Sequence, residues 1–171
     1  MSDAAVLSHF RKKHFWMASH VENAQYPTPE SLQGLKCYQA AETEPKQVER
    51  TAVSARVEGY SFYAVDCHPL MVRYARTLAQ KWPEAERAAL LEYLTQLSLT
   101  DIPTPDGINV SLYVAMQEGK PVATGMIFST LEDNGTSVVG IYDVYGLTEE
   151  AEKAMRGHLA TLTECEILVS E

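Results

Sequence analysis

Three runs in the second half of the chain decide the fold: Val110–Met116 (VSLYVAM), Val122–Thr130 (VATGMIFST) and Val138–Tyr145 (VVGIYDVY). Each is rich in β-branched and aromatic residues, the types that fit a pleated, half-buried surface. The links between them are short and carry turn chemistry. Glu118-Gly119-Lys120-Pro121 joins the first two runs. Asp133-Asn134-Gly135 joins the second to the third, and Asn and Gly tolerate the positive φ of a hairpin. Short links join antiparallel neighbours, so the runs form a meander. Beyond it, Thr148 with Glu149 and Glu150 opens a helix to about Leu162, and Glu166–Ser170 (EILVS) reads as a last short strand.

Upstream of the meander the pattern is mostly helical. Ala4 to Val21 reads as an amphipathic helix, with Leu7, Phe10, His14, Met17 and Val21 at three- and four-residue steps. Thr28 before Pro29 is an N-cap before a first-turn proline and opens a helix over 29–40. Residues 50–57 alternate loosely until Gly59, and Tyr60–Val65 reads as a strand. Pro69 starts a helix whose apolar stripe is Met71, Tyr74, Ala75, Leu78 and Trp82, and Pro83 stops it. A further helix runs from Glu84 to Leu97 with Leu90, Leu94 and Leu97 on one face.

Two proline-bearing segments, Gln25–Glu30 and Asp101–Gly107, punctuate the chain. The second separates a helical and mixed half, 1–100, from the meander, helix and final strand of 101–171. The two halves together make one compact domain of α+β class, a central and mostly antiparallel sheet flanked by helices.

Charge divides at the same point. The chain of 171 residues carries a net −9, yet residues 1–100 hold 11 basic and 11 acidic side chains. Residues 101–171 set Lys120, Lys153 and Arg156 against 12 acids. Such an end repels nucleic acid and anionic lipid, whose binding needs Lys and Arg clusters. It serves either as a solubilising surface or as an acidic face for a basic partner. The longest apolar runs fall short of the ~18–20 residues that span a bilayer, so no membrane partner is expected. The N-terminal stretch MSDAAVLSHFRKKHF lacks the pattern of a secretory signal, which makes a cytoplasmic address the default. Cys37, Cys67 and Cys165 are far apart and form no C-x-x-C pair, so reduced thiols fit better than a zinc ribbon.

From Val110 onward the chain resembles the Gcn5-related N-acetyltransferase superfamily. In that family a strand leads through a turn of the type dGkpVatg into a second strand, and a third strand of the type aGIydVat follows. The matching segments here read QEGKPVATGMIFST and SVVGIYDVYG. The resemblance implies that the GIYDVY strand splays from its neighbour and offers its backbone to a pantetheine arm. Tyr142, Val144, Tyr145 and Gly146 would then hold an acyl-CoA. It also implies a pyrophosphate loop, Arg/Gln-x-x-Gly-x-Gly/Ala, whose glycines let backbone N–H groups reach phosphate. Laid without gaps, the loop arginine falls on Ala151 and its glycines on Ala154 and Arg156, while Glu149, Glu150 and Glu152 stand where phosphate would sit. A register on Arg156-Gly157-His158 leaves almost no helix before the final strand. The family's further strands, beyond the one matching EILVS, have no counterpart in the sequence. The resemblance therefore points to an acetyltransferase-like protein without efficient acetyl-CoA chemistry, acting as a protein-binding or regulatory domain toward a partner or a second copy of itself. The alternative is an acyl-CoA-dependent N-acyltransferase with a divergent cofactor loop.

Among single residues, Asp143 is the acid inside the GIYDVY strand and the candidate general base. Strict alternation places it opposite Tyr142 and Val144, where an ordinary strand acid is the competing reading. Asp66-Cys67-His68-Pro69 stands at a strand-to-helix junction, where a thiol could be activated. A buried cysteine beside an Asp or His cap explains it as well. His14 and His20, six apart, lie on different faces and cannot share a metal, and His14 is expected in the packed stripe. The Phe10–Met17 segment crowds aromatics around Arg11, Lys12 and Lys13 and suits packing on the domain or on a second subunit. The last strand, apolar at Ile167, Leu168 and Val169, offers an edge that invites one mate. A second subunit is preferred for it, because residues 1–60 offer only one weak strand.

Overall fold

A computed structural model describes residues 2–22, 27–49, 57–99, 106–132, 135–165 and 167–171. In chain order the elements are α1 (Ser2–Glu22), α2 (Pro29–Ala40), β1 (Lys46–Gln47), β2 (Ser61–Ala64), α3 (His68–Ala79), α4 (Glu84–Leu99), β3 (Ile108–Gln117), β4 (Lys120–Leu131), β5 (Ser137–Gly146), α5 (Glu149–Thr161) and β6 (Ile167–Ser170). The fold is α+β. One six-stranded sheet runs in the order β1-β6-β5-β4-β3-β2. Its pairs are antiparallel except β5 with β6, which are parallel and joined through α5.

The local signals act as the sequence predicts. At α2, Thr28 Oγ1 accepts from the Ser31 N–H at 3.0 Å while Ser31 Oγ accepts from the Thr28 N–H at 3.1 Å, a closed capping box. The α3 stripe Met71, Tyr74, Ala75, Leu78 and the following Trp82 are all buried, as are Leu90 and Leu94 of α4. Residues 50–56, 101–105 and 133–134 lie outside the described residues, and with them the loose alternation, most of the second proline segment and Asp133 and Asn134 of the second turn.

The sheet is covered on both faces, which is why β4 and β5 read as nearly continuous apolar runs. The helices α1 to α4 share one core with Met126, Phe128 and Tyr142. Helix α5 packs Met155 and Leu159 against Ile127, Ile141 and Val144 on the other face. Helices α2 and α4 approach to backbone contact at Gly34, where a Cβ would fall on the Ala89 carbonyl and lie 2.6 Å from Tyr93 Cβ. Gly34→Ala is therefore expected to lower stability by about 1–3 kcal/mol despite alanine's better helix propensity. Urea unfolding checks this, and an unchanged or raised midpoint contradicts the close approach.

Two expectations are corrected. Helix α1 buries a different stripe. Met17 and Val21 are buried as expected, but Leu7 is exposed and Phe10 and His14 are half-buried. The inward residues are Ala5, His9, Lys13, Met17 and Val21, at steps of four, together with Ala18 and His20. Groups facing α1 select this face: His9 meets Thr130, and the Lys13 ammonium lies over the rings of Tyr38 and Tyr142. His14 instead pairs with Glu42 at 2.9 Å near the surface.

The second correction concerns the edge of β6. It is covered from within the chain, by β1, with Lys46 opposite Ser170 and Gln47 opposite Val169. The Val48 N–H continues the ladder to the Leu168 carbonyl at 2.9 Å. A two-residue polar strand has no alternation to read, and the mate is fixed by backbone pairing alone.

Candidate functional site

Strand β5 breaks its alternation at Asp143. Thr124 faces Tyr145 and Met126 faces Tyr142, so Gly125 alone opposes both Asp143 and Val144. This is a β-bulge, and Asp143 sits in it at φ 53°, a left-handed conformation that Asp tolerates better than most residues. The extra residue turns the Asp143 side chain toward the helical layer, the same layer that covers Tyr142. Val144 alone goes to the α5 side. The strict alternation read from the sequence is thereby overturned, and the acid is 3% exposed.

Each polar group of Asp143 is held. Its carboxylate accepts from the Tyr38 hydroxyl, at 3.1 Å to Oδ1 and 2.9 Å to Oδ2. Its carbonyl accepts from Thr124 Oγ1 at 2.8 Å. Its N–H, freed from the sheet ladder by the bulge, donates to Glu171 Oε1 at 2.8 Å. Lys13, 1% exposed, lies beside this arrangement with Nζ 4.7 Å from the Tyr38 ring centre and 4.8 Å from that of Tyr142. Two aromatic faces and nearby carboxylates make a buried ammonium tenable. A cavity of about 10 Å³, lined in part by Lys13, Tyr38, Glu42, Lys81, Asp143 and Glu171, closes the cluster.

The electrostatics follow from burial. The Glu171 carboxyl is pushed above its ordinary range by burial and then by the charge of Asp143, while Lys13, Lys81 and the Asp143 N–H pull it back. Burial and then Asp143 hold the Tyr38 hydroxyl well above the usual phenol range, so it stays a donor. A phenol and the Glu171 carboxylate thus bond to Asp143 at the strand irregularity, and Lys13, Lys81 and Glu42 line the same small cavity.

The side chains of the other residues that the resemblance singles out divide between the two faces of the sheet. Tyr142 stacks on His9, ring centres 5.8 Å apart, and its hydroxyl has no hydrogen-bond partner among the described residues. Val144 is in the α5 core, and Tyr145 packs half-buried against the helical layer. Gly146 closes on the start of α5, where a Cβ would come within 2.7 Å of the Thr148 carbonyl oxygen. Thr148 caps α5 through the Ala151 N–H at 3.1 Å, and Glu149, Glu150 and Glu152 fill the first turn. Cys67 is exposed and is itself the N-cap of α3, with no side-chain cap hydrogen bond, rather than buried beside a capping Asp or His.

Lys13, Tyr38, Lys81 and Glu171 were not apparent as site residues in the sequence. For Lys13 a signal existed: it continues the four-residue step of Ala5, His9 and Met17. A second polar group, His9, sits at the centre of the helical layer. Its Nδ1 is 2.9 Å from Thr130 Oγ1, and burial lowers its pKa to about 4. Gly140 leaves it room, since a Cβ there would lie 2.6 Å from His9 Nε2. At the rim, Lys12 pairs with Glu132 at 3.1 Å.

The fold and site define an α+β domain with a buried carboxylate–lysine cluster at a strand bulge. Comparison with described protein families, curated proteins and solved structures finds no match. Among the described residues no helix is long and apolar enough to cross a membrane. No three of the described His, Cys, Asp or Glu side chains gather as a metal site.

Proposed function

We propose that this chain is an acetyltransferase-like domain without efficient acetyl-CoA chemistry, which acts by binding a protein partner or a second copy of itself. The element order supports the resemblance: a strand, two helices, a three-stranded meander, a helix and a parallel strand follow one another. One contact carries the functional part. The β5 backbone that such a protein would offer to a pantetheine arm gives its freed N–H to the chain's own Glu171 at 2.8 Å. The first turn of α5 adds three carboxylates, which stabilise the helix start by ~0.3–1 kcal/mol each and oppose a pyrophosphate. A cytoplasmic location, with no nucleic acid or membrane as partner, accords with the acidic second half.

One observation favours an active N-acyltransferase with a divergent loop. The pairing of β5 with β6 ends at Ile141 and Ser170, so residues 142–146 have no β6 partner. Calorimetric titration with acetyl-CoA separates the readings. No binding heat and no rise in melting temperature at millimolar ligand are expected. A micromolar dissociation constant transfers the conclusion to the acyltransferase.

A further inference from the structure

We propose that β2 is the interface for a second copy of this chain, with two β2 strands pairing antiparallel about a two-fold axis at Tyr63. This rests on the partner-binding reading above and names the partner. The two edges of the sheet differ. At one, β1 has two residues, carries Lys46 and follows Pro45, the devices that keep an edge from pairing. At the other, among the described residues β2 has no strand beyond it. Its stretch Gly59–Val65 (GYSFYAV) has no Lys, Arg, Pro, Asp or Glu. Tyr63 is 49% exposed, and Ser61 and Ala64 are exposed. The strand is anchored on its α5 face, where Phe62 stacks on His158 with ring centres 4.0 Å apart.

The hydrogen-bond phase of β2 fits a copy of itself. The Val65 N–H donates to the Leu112 carbonyl at 2.8 Å, and Tyr63 and Ser61 oppose Val114 and Met116 in the same ladder. By alternation the N–H and C=O groups of Phe62 and Ala64 point away from β3. An antiparallel copy centred on Tyr63 sets Phe62 of each chain against Ala64 of the other, and both pairs exchange N–H···O bonds. Tyr63 then meets its own counterpart in the close, non-hydrogen-bonded position, where aromatic pairs stabilise a sheet. Charge selects the same place. Each copy carries −9, so copies repel, and an edge free of ionised groups is where they approach with least opposition. Residues 61–65 bury less than the ~1,600 Å² of a standard interface, which puts dimerisation at micromolar concentration or above.

Sedimentation of the full chain from about 5 to 500 µM tests the interface. A monomer–dimer equilibrium that tightens as salt rises is expected, because screening weakens the repulsion of like net charges. Tyr63→Lys and Tyr63→Glu each replace an aromatic pair by a like-charge pair and are expected to weaken the dimer about tenfold. Mixed one to one, they bring opposite charges together on the axis and restore it, which a merely structural role of Tyr63 would not do. Tyr63→Cys, combined with Cys67→Ser, is expected to form a disulfide dimer on mild oxidation, since Cα atoms in such a pair lie about 4.5 Å apart. Tyr63 is half exposed, so these variants are expected to keep the fold, and the parent chain's concentration series depends on none of them. A monomer at every concentration, or a dimer that both charged variants leave unchanged, overturns the interface. A mixture of the two charged variants that stays monomeric overturns the axis at Tyr63. Acetyl-CoA binding is read separately, so failure of the dimer and failure of the function proposed above are distinguishable.

Discussion

Acidification from pH 6.5 to 4 is expected to remove about 5 kcal/mol of stability, about half of it through each of two buried histidines. His9 and His20 are 0% and 2% exposed, and burial lowers the pKa of each from 6.5 to about 4. In this window the unfolded chain takes up a proton on each ring and the folded chain does not. Stability therefore is full above pH 6.5 and is lost as pH falls toward 4, at about 1.4 kcal/mol per pH unit for each histidine in mid-window. Glu132, whose pKa is lowered because hydrogen bonds from Ser8, Thr130 and Lys12 outweigh its burial, adds to the loss below its ordinary value of 4.5. Glu171 acts in the opposite sense, because its raised pKa favours the folded state most at low pH and loses that contribution as pH rises. The histidines outnumber it. A loss of this size is comparable with the whole stability of many domains, about 5–15 kcal/mol, so unfolding within the window is expected. Urea unfolding at half-unit pH steps measures the slope. His20→Phe, which keeps a ring against the Trp16 edge, should halve it. A slope near zero between pH 6.5 and 5 means that neither imidazole is held neutral by burial.

The meander, its Glu118-Gly119 turn and the helix caps were legible because each is a local choice. Thr28, Pro29, Gly119 and Thr148 act within a few residues of themselves, and the structure uses them as their chemistry dictates. The stripe of α1 was misread because apolarity is a one-way rule. Leu7 is exposed, while Lys13 is buried for the sake of groups more than a hundred residues away in sequence. The bulge was invisible for a similar reason. Nothing in VVGIYDVY marks a two-against-one register. It becomes apparent once Gly125, which has no side chain to hold the pairing, is seen opposite Asp143 and Val144. The partner of the β6 edge is a pair of residues, Lys46 and Gln47, with no strand signature. Asp143 was legible as a candidate by its type and its strand. Its burial, its phenol donor and its use of a backbone N–H toward Glu171 depend on tertiary geometry.

Asp143→Ala is expected to cost about 3–5 kcal/mol, the range for breaking a buried charge cluster by removing one member. The substitution leaves the Tyr38 hydroxyl without its acceptor inside the core and removes a carboxylate from beside the buried Lys13. It also places alanine at φ 53°, which Asp tolerates better. Asp143→Asn separates these effects. It keeps an acceptor for Tyr38 and a residue at home in the left-handed region, so the part of the loss that survives is the part due to charge. Lys13→Met keeps most of the side-chain volume against Tyr38 and Tyr142 and removes only the ammonium, leaving Asp143 and Glu171 to repel each other. In Lys13→Met/Asp143→Asn both charges go together, and the remaining Glu171 no longer faces a second carboxylate. The double variant is therefore expected to be more stable than the sum of the single losses implies, by a coupling of about 1–3 kcal/mol. Denaturant unfolding of the four proteins at pH 7 gives that coupling directly. Single losses that add to within about 0.5 kcal/mol would mean that Lys13 and Asp143 do not sense each other, and that the bulge owes its shape to the backbone and Tyr38 alone.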